Sequence, residues 1–387
     1  MSRPRLMIPG PIEFTDEVMA EMSKPTPSHV DPAFVATFGQ ALEDLRNVFL
    51  AGPNYQPFIL AGSGTLAMDS AVANLVEPGD RVLVIDTGYF SQRMADILRR
   101  YGAQVDVLSA EPGDTITADQ LSQHLADNSG YNVVTITHVD TSTGVLTDAK
   151  GLTAAAKEAG ALVILDGVCA TAAEELRQAE WGVDVYLTAS QKAIGTPPGL
   201  GLLVASPAAL GKWRGRSHPV GSYYSDWGYW LPIMQAYEGR KASYFATPAV
   251  NLVMALAVSL RQILDEGMEN VFARHVQLSN AVKAGIEAMG LGQVPTGMDH
   301  AAHTLTCPRF PKGVDASFLK TVRANGAILA GGLHPAIKSE YFRIGHMGAA
   351  SRADVLIALG AVEAGLRAAG YAVEPGVSLA AAQAVLA

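Results

Sequence analysis

A single lysine lies between polar residues and a turn rich in glycine and proline, in the stretch TASQKAIGTPPGLG at residues 188–201. Lys192 comes just after an apolar run with the composition of a buried strand. Asp166 ends an earlier apolar run, 26 residues before the lysine (192 − 166). An amine at a strand end can act as a nucleophile or a base, and a carboxylate at the edge of a core needs a positive partner. Lys192 could also be an ordinary surface lysine, and Asp166 could cap a helix.

Two other strand ends offer groups that suit a flat, anionic ligand. Ser63, Gly64 and Thr65 open a helix, where backbone N–H groups and the helix dipole attract an anion such as phosphate. They would serve equally well as a simple strand-to-helix turn with a hydroxyl cap. Phe90 stands at the start of another helix, where it could stack on a ring, although packing in the core is the more common role of such a residue.

Together these groups match what pyridoxal phosphate (PLP) requires. The cofactor needs an amine for its covalent linkage, an acid beside its pyridine nitrogen, a phosphate site and an aromatic stacking partner. Lys192, Asp166, the turn at 63–65 and Phe90 supply these in turn, each at the end of a predicted strand. No single motif is decisive, but their joint order along the chain predicts a PLP enzyme.

The elements that carry these residues alternate between apolar strands and helices. This alternation is typical of a mostly parallel α/β sheet with helices on both faces, and such sheets bind ligands at the carboxyl ends of their strands. We predict seven strands, at 58–60, 81–85, 104–108, 133–137, 162–165, 183–188 and 201–205. Between them we predict helices that include 65–75, 91–101, 117–125 and 152–159.

The rest of the chain reads as a second, smaller α/β unit. Residues 248–289 are predicted to be wholly helical. Beyond them we predict strands near 304–307, 327–329 and 341–344 and helices at 316–324, 352–369 and 378–387. The domain prediction is an N-terminal arm at 1–11, a large domain at 12–265 and a small C-terminal domain at 266–387.

The composition of the chain argues against several classes of protein function. A chain of 387 residues, 49% of them hydrophobic, can bury a large core, and its net charge of −9 argues against nucleic acid or an anionic membrane as the main partner. Two cysteines are too few for a disulfide framework or a zinc cluster. No apolar stretch approaches the roughly 20 residues that span a bilayer, and the N-terminus lacks a signal-peptide core. We expect a cytoplasmic protein.

The chain resembles the class V aminotransferase family of fold-type I PLP enzymes, and most closely its alanine–glyoxylate and serine–pyruvate aminotransferases. The resemblance covers nearly the whole chain. It rests on PGP at 9–11, SGT at 63–65, GYFSQR at 88–93, DTSTGVL at 140–146, DGV at 166–168, SQKAIGTPPG at 190–199 and RIGHMG at 343–348. It implies a ping-pong transamination in which Lys192 also serves as the base for the substrate Cα proton.

The resemblance also assigns roles to individual residues. It implies that Lys192 is the Schiff-base lysine and that Asp166 is the partner of the pyridine nitrogen. It also implies that Arg343 binds the substrate α-carboxylate and that Gly10 belongs to the same substrate site. The cofactor-binding residues that it implies are Ser63, Gly64, Thr65, Phe90, Ser142 (or its neighbour Thr141), Asp166, Val168, Gln191, Lys192, Tyr244 and Thr247. Of these, Tyr244 and Thr247 would reach into the site of the neighbouring subunit of a homodimer.

A small amino donor, alanine or serine, with glyoxylate or pyruvate as acceptor, is the expected substrate pair. It needs a single carboxylate clamp, whereas a dicarboxylate needs a second cation, for which Arg93, Arg240 and Arg323 are the candidates. Phe90 stands where alanine–glyoxylate enzymes often have tryptophan, which weakens the subfamily assignment more than that of the cofactor.

Other class V chemistries stay open: an aspartate or other aminotransferase, a lyase, or a cysteine desulfurase. The desulfurase would need a reactive thiol, and the apolar context of Cys307 favours a buried, inert one. The aromatic segment 221–230 could form a substrate wall or a dimer surface.

Overall fold

A computed structural model describes residues 3–387. Its strands, in chain order, are β1 (Arg5–Leu6), β2 (Gln56–Ala61), β3 (Arg81–Asp86), β4 (Gln104–Ser109), β5 (Val133–Thr137), β6 (Val139–Asp140), β7 (Val145–Leu146), β8 (Leu162–Asp166), β9 (Val185–Ala189), β10 (Leu200–Ala205), β11 (Leu305–Thr306), β12 (Ala327–Ile328), β13 (Ala330–Gly331) and β14 (Phe342–Gly345). Its α-helices are α1 (Asp16–Met22), α2 (Pro32–Val48), α3 (Gly64–Leu75), α4 (Tyr89–Arg100), α5 (Ala118–Asp127), α6 (Ala149–Glu158), α7 (Gln178–Trp181), α8 (Pro207–Arg214), α9 (Trp227–Glu238), α10 (Val250–Glu266), α11 (Met268–Ala288), α12 (Leu319–Ala324), α13 (Arg352–Ala368) and α14 (Val377–Leu386).

A seven-stranded sheet forms the centre of the molecule, in the order β2-β10-β9-β8-β5-β3-β4. Strand β10 runs antiparallel to both of its neighbours, and the other strands are parallel to one another. Strands β5 and β9 are buried along their whole length, which explains their continuous apolar sequences. All seven predicted strands are present, so the predicted mostly parallel α/β sheet is confirmed.

The sheet register brings the candidate residues to one edge. Thr137 pairs with Asp166, and Asp166 pairs with Leu187, so that β5, β8 and β9 end side by side. Lys192 follows the end of β9 at Ala189 by three residues. Because β2, β3, β5, β8 and β9 all point the same way, the loops that follow them meet at one edge of the sheet.

The C-terminal elements build a second hydrophobic core. Helices α11 to α14 and strand β14 bury one another's apolar faces there, and Met7 of the N-terminal arm joins them. Strand β1 pairs in parallel with β12, so the arm lies on the C-terminal unit. A three-stranded sheet in the order β11-β14-β13 carries this unit's strands. The division at 12–265 and 266–387 stays a prediction.

Some elements differ from those predicted. The helical stretch 248–289 is two helices, because Gly267 adopts a φ of 83°, a conformation that ends α10 and is favourable only for glycine. The hairpin of β6 and β7 was not predicted, since each strand has only two residues. Within residues 3–387, none of the helices combines the length and the apolar character that crossing a membrane requires. The cytoplasmic location stays a prediction.

Candidate active site

Lys192 lies in the turn that follows β9 and is 8% exposed. Its Nζ donates a hydrogen bond to the carbonyl of Pro9 rather than to a carboxylate. Burial lowers the pKa of this amine; charge on Cys169 would raise it, and the nearby Arg343 guanidinium lowers it further. The amine is therefore easier to deprotonate than an ordinary lysine, as a nucleophile or base requires.

The N-terminal arm closes over this lysine at Gly10. The backbone there has a φ of 114°, and a Cβ atom would lie 2.7 Å from Cδ of Lys192 and 3.1 Å from its Nζ. Only glycine fits this close approach without displacing the lysine. The structure thus places Gly10 beside Lys192. The predicted role of Gly10 in binding substrate beside Arg343 stays a prediction.

Asp166 ends β8 and is 3% exposed. Its Oδ1 accepts a hydrogen bond of 2.9 Å from the backbone N–H of Val168. Burial raises the pKa of this carboxyl to about 6, and the Val168 bond opposes that rise only in part. The positive charges of Lys192 and Arg93 also lower the pKa. A carboxylate held in this way gains stability from a cation beside it, as a protonated pyridine nitrogen would supply.

The start of α3 leaves backbone donors without partners, as a candidate anion site requires. Ser63 is the N-cap residue, yet its side chain makes no capping hydrogen bond, and the first turn of the helix contains no acidic residue. The N–H groups of a first turn lack partners within the helix and point toward a ligand. Gly64 packs so tightly that a Cβ would lie 2.8 Å from Cγ2 of Val168. Within residues 3–387, the buried Oε1 of Gln191 has no hydrogen-bond partner either.

Asp140, which the sequence reasoning missed as a functional residue, connects two parts of the site. Its Oδ2 accepts a hydrogen bond of 3.0 Å from the N–H of Phe90, and its Oδ1 accepts from the N–H of Ser142 at 2.8 Å and from the Ser142 hydroxyl. The Ser142 Oγ in turn accepts from the N–H of Tyr89. Asp140 thus fixes the start of α4, and with it the Phe90 ring, against the turn at 140–144. The only signal in the sequence was an acid inside a hydroxyl-rich turn.

Strand β14 brings the C-terminal unit to the same turn. Arg343 donates from Nε to the Gly331 carbonyl at 2.8 Å and from Nη1 to the Thr141 carbonyl at 3.1 Å. The Tyr341 hydroxyl, also missed from sequence, donates to the Ser142 carbonyl and accepts from the N–H groups of Leu333 and His334. The Arg343 guanidinium is held by carbonyl groups, so its charge is available to a substrate carboxylate.

Other candidate residues lie at the surface or are buried elsewhere. Tyr244 is 62% exposed and Thr247 is also exposed, so both present their side chains outward from this chain. Arg240 forms an ion pair with Glu43 on the surface, and Arg323 is exposed in the last turn of α12. Cys307 is buried, and burial raises the pKa of its thiol far above the ordinary value, which suits an inert thiol.

The residues present fit PLP. The open first turn of α3 offers donors for a phosphate, the Phe90 ring stands in the first turn of α4, and Asp166 is a buried acid in need of a cation. Among residues 3–387, the buried Lys192 amine bonds to a carbonyl and has no acid partner. Within residues 3–387, no group of three or more His, Cys, Asp or Glu side chains could hold a metal ion.

The site residues lie within a chain that matches known proteins over most of its length. Residues 17–358 match the family model described as Aminotransferase class-V. Alanine–glyoxylate aminotransferase 1 of Saccharomyces cerevisiae is 40% identical over 358 residues, which cover 89% of this chain and 91% of the yeast protein. The L-aspartate–glyoxylate aminotransferase of Paracoccus denitrificans is 31% identical over 98% of this chain and 95% of its own length. Among solved structures, an alanine–glyoxylate aminotransferase of Nostoc sp. superposes with a TM-score of 0.88 at 30% identity, over 95% of this chain and 96% of that one.

These matches confirm the predicted fold, cofactor and class of enzyme. The chain has the fold-type I architecture, and its cofactor is PLP. This chain belongs to the class V aminotransferase family and is a PLP-dependent aminotransferase.

Proposed function

We propose that this enzyme moves an amino group from a small amino acid, alanine or serine, to glyoxylate or pyruvate. The observation that carries the proposal is the position of Arg343. Its guanidinium is held by two backbone carbonyls and is close enough to Lys192 to lower the pKa of the lysine. A guanidinium binds a carboxylate through two parallel hydrogen bonds. One such clamp beside the lysine is sufficient for a substrate with a single carboxylate.

Lys192 and Asp166 divide the proton chemistry between them. When bound, PLP supplies an electron-withdrawing ring that acidifies the Cα–H bond of the amino acid. Lys192 Nζ takes that proton, because burial lowers its pKa toward neutral pH. Asp166 keeps its negative charge opposite the pyridine nitrogen and so favours the protonated ring. Phe90 would stack on the ring, the turn at 63–65 would hold the phosphate, and either Ser142 or Thr141 would contact the ring hydroxyl.

The positions of the other candidate arginines favour an amino donor with a single carboxylate. Arg240 and Arg323 lie on the surface of this chain. Arg93 donates its hydrogen bond to the Thr65 hydroxyl, on the proposed phosphate side of the site. A second substrate carboxylate would therefore be buried without a partner, which costs several kcal/mol.

Aspartate is the competing donor, because the Paracoccus relative is named for it. The test is to add alanine, serine, aspartate and glutamate one at a time to the holoenzyme and to follow the cofactor absorbance as it changes to the pyridoxamine form. Steady-state kcat/KM with glyoxylate then ranks the donors, with alanine or serine expected to lead. Arg343→Gln should raise the KM of every donor, whereas Arg352→Gln, at an exposed site on α13, should not. A higher kcat/KM for aspartate or glutamate would overturn the proposal.

We also propose that the protein is a homodimer whose two chains complete each other's sites. Tyr223 and Tyr244 are 70% and 62% exposed, and the exposed Tyr229 stacks on Phe245 with ring centroids 4.7 Å apart. Large exposed aromatic groups in one patch are typical of protein interfaces. The patch includes Tyr223 and Tyr229 of the aromatic segment 221–230, while Trp227 and Trp230 of that segment are buried. The Tyr224 hydroxyl of the same segment donates to the Ala61 carbonyl, next to the proposed phosphate turn. This position favours a dimer surface that borders the active site.

A further inference from the structure

The proposed phosphate site contains no cation among the residues that the family resemblance assigns to it. Its donors are the hydroxyls of Ser63 and Thr65, the Gln191 side chain and backbone N–H groups, and the residues expected from a partner subunit are also neutral. A phosphate monoester carries a charge of about −1.5 to −2 at pH 7. An anion of that charge in a partly buried site needs a positive partner to offset its loss of hydration.

Arg93 is the cation that the structure places at this position. Its Nη1 donates a hydrogen bond of 3.0 Å to the Thr65 hydroxyl, in the first turn of α3. Its guanidinium carbon lies 4.9 Å from the centroid of the Phe90 ring and 5.1 Å from that of Tyr89. The charge is also felt at Asp166, where it lowers the carboxyl pKa. One side chain therefore contacts both the phosphate turn and the stacking residue.

The charge of Arg93 is not neutralised by a neighbouring acid. Asp96, on the same helix, pairs with Arg99 at 3.1 Å. Asp69, on the facing helix α3, accepts hydrogen bonds from the hydroxyls of Tyr101 and Ser225. Within residues 3–387, Arg93 takes part in no ion pair, and its polar contact is the Thr65 hydroxyl. A half-buried guanidinium that faces hydroxyl and N–H donors is arranged for an anion that bridges them.

We propose that Arg93 is the counter-ion of the cofactor phosphate. The proposal rests on the proposed placement of the phosphate at residues 63–65, and it gives the anion site a positive charge that the motif residues lack. It also explains why Arg93 does not serve as a second substrate clamp. A hydrogen bond to a charged group contributes enough for a loss of about 10- to 100-fold in affinity when it is removed.

The test compares PLP with pyridoxal, which has the same ring and aldehyde but no phosphate. Apoprotein of each variant is titrated with both compounds, and the dissociation constants are measured by the quenching of protein fluorescence. Arg93→Gln should weaken PLP binding about 10- to 100-fold and leave pyridoxal binding within about twofold. Arg93→Lys, which keeps the charge, should recover much of the loss. Arg100→Gln, an exposed arginine on the same helix, is the matched control and should change neither constant.

A second readout follows the phosphate itself. In the holoenzyme, the ³¹P chemical shift of the bound cofactor reports the ionisation of its phosphate as the pH changes. A counter-ion lowers the phosphate pKa, so the ³¹P titration of Arg93→Gln should move to higher pH than that of the wild type. A purely structural role for Arg93 would leave this titration unchanged.

Three outcomes would overturn the proposal. Arg93→Gln could leave PLP affinity unchanged, weaken PLP and pyridoxal equally, or lower kcat/KM for aspartate alone, which would assign Arg93 to the substrate. Thr65→Val separates this failure from an error in the phosphate site. If Thr65→Val selectively weakens PLP while Arg93→Gln does not, the site is right and Arg93 is not its counter-ion. If neither variant is selective for PLP, the phosphate lies elsewhere.

Discussion

Asp166→Asn should separate the stability of the protein from its activity. Asparagine has nearly the shape of aspartate, and its side-chain oxygen can still accept the 2.9 Å hydrogen bond from the Val168 N–H, so the fold should persist. An uncharged amide cannot favour the protonated pyridine nitrogen. In the holoenzyme we therefore expect transamination to slow by about 100-fold or more, the order found when one electrostatic contact to a reacting centre is lost.

In the apoprotein, by contrast, Asp166→Asn should raise the stability of the fold. Burial raises the Asp166 pKa from 3.8 to about 6, so the folded chain favours the protonated acid. The protonated Asp166 carboxyl makes its full contribution to the free energy of unfolding below about pH 4. That contribution is lost as the pH rises through about 6. The shift of about two pKa units corresponds to roughly 3 kcal/mol at pH 8, and about half of that at pH 5. Asp166→Asn avoids this loss, so the variant apoprotein should be more stable than the wild type at pH 8.

Urea unfolding of the two apoproteins at pH 8 and pH 5 tests this reasoning. A chain of 387 residues need not unfold in two states, so the midpoint is the quantity to compare. The variant's midpoint should be higher at pH 8, and its advantage should shrink at pH 5. Asp140→Asn is the control, and it should lower the urea midpoint rather than raise it. Its new amide nitrogen would face the N–H donors of Phe90 and Ser91 or of Ser142. A wild-type apoprotein that is as stable as Asp166→Asn at pH 8 would refute the burial argument.

Three further outcomes are expected. Borohydride reduction of the holoenzyme followed by peptide mapping should place the cofactor label on Lys192, and a label on any other lysine would make the assignment wrong. Sedimentation should show a dimer at working concentrations with no active monomer, and mixing inactive Lys192→Ala with inactive Tyr244→Ala/Thr247→Ala subunits should restore part of the activity if sites are shared across the dimer. Aspartate and glutamate should give lower kcat/KM than alanine or serine with glyoxylate, because Arg343 supplies a single clamp.

The central sheet, and the placement of Asp166 and Lys192 at the ends of its strands, could be predicted from the sequence because each depends on local signals. Continuous apolar runs such as Val133–Thr137 are long enough to mark buried strands, and the strand-to-helix order makes the sheet parallel. Once the strands are parallel, their carboxyl ends must converge. For this reason the sequence alone predicts that Asp166 and Lys192, each at a strand end, lie at the same edge of the sheet.

The contacts that hold the site together could not be predicted, because they join segments far apart in the chain. Phe90 depends on Asp140, and Lys192 on the arm at Pro9. Nothing in the spacing of these residues shows which loops will meet. Arg93 could be identified as a candidate cation, but its bond to Thr65 is visible only in three dimensions. The roles expected of Tyr244 and Thr247 would require a second chain, so they stay predictions.

The turn at 140–144 links Phe90, the proposed stacking residue, to Arg343, the proposed substrate clamp. The Asp140 carboxylate accepts from the N–H of Phe90, while Arg343 in β14 and Tyr341 just before it donate to carbonyls of this turn. The stacking ring and the carboxylate clamp come from different units of the fold, yet each is only one hydrogen-bonded step from the same turn. Transamination requires the substrate Cα–H bond to stand at a set angle to the cofactor ring, and that angle depends on where the carboxylate is held relative to the ring. Because the Asp140 carboxylate and two carbonyls of one buried turn set the positions of Phe90 and Arg343, a movement of the turn would shift both residues.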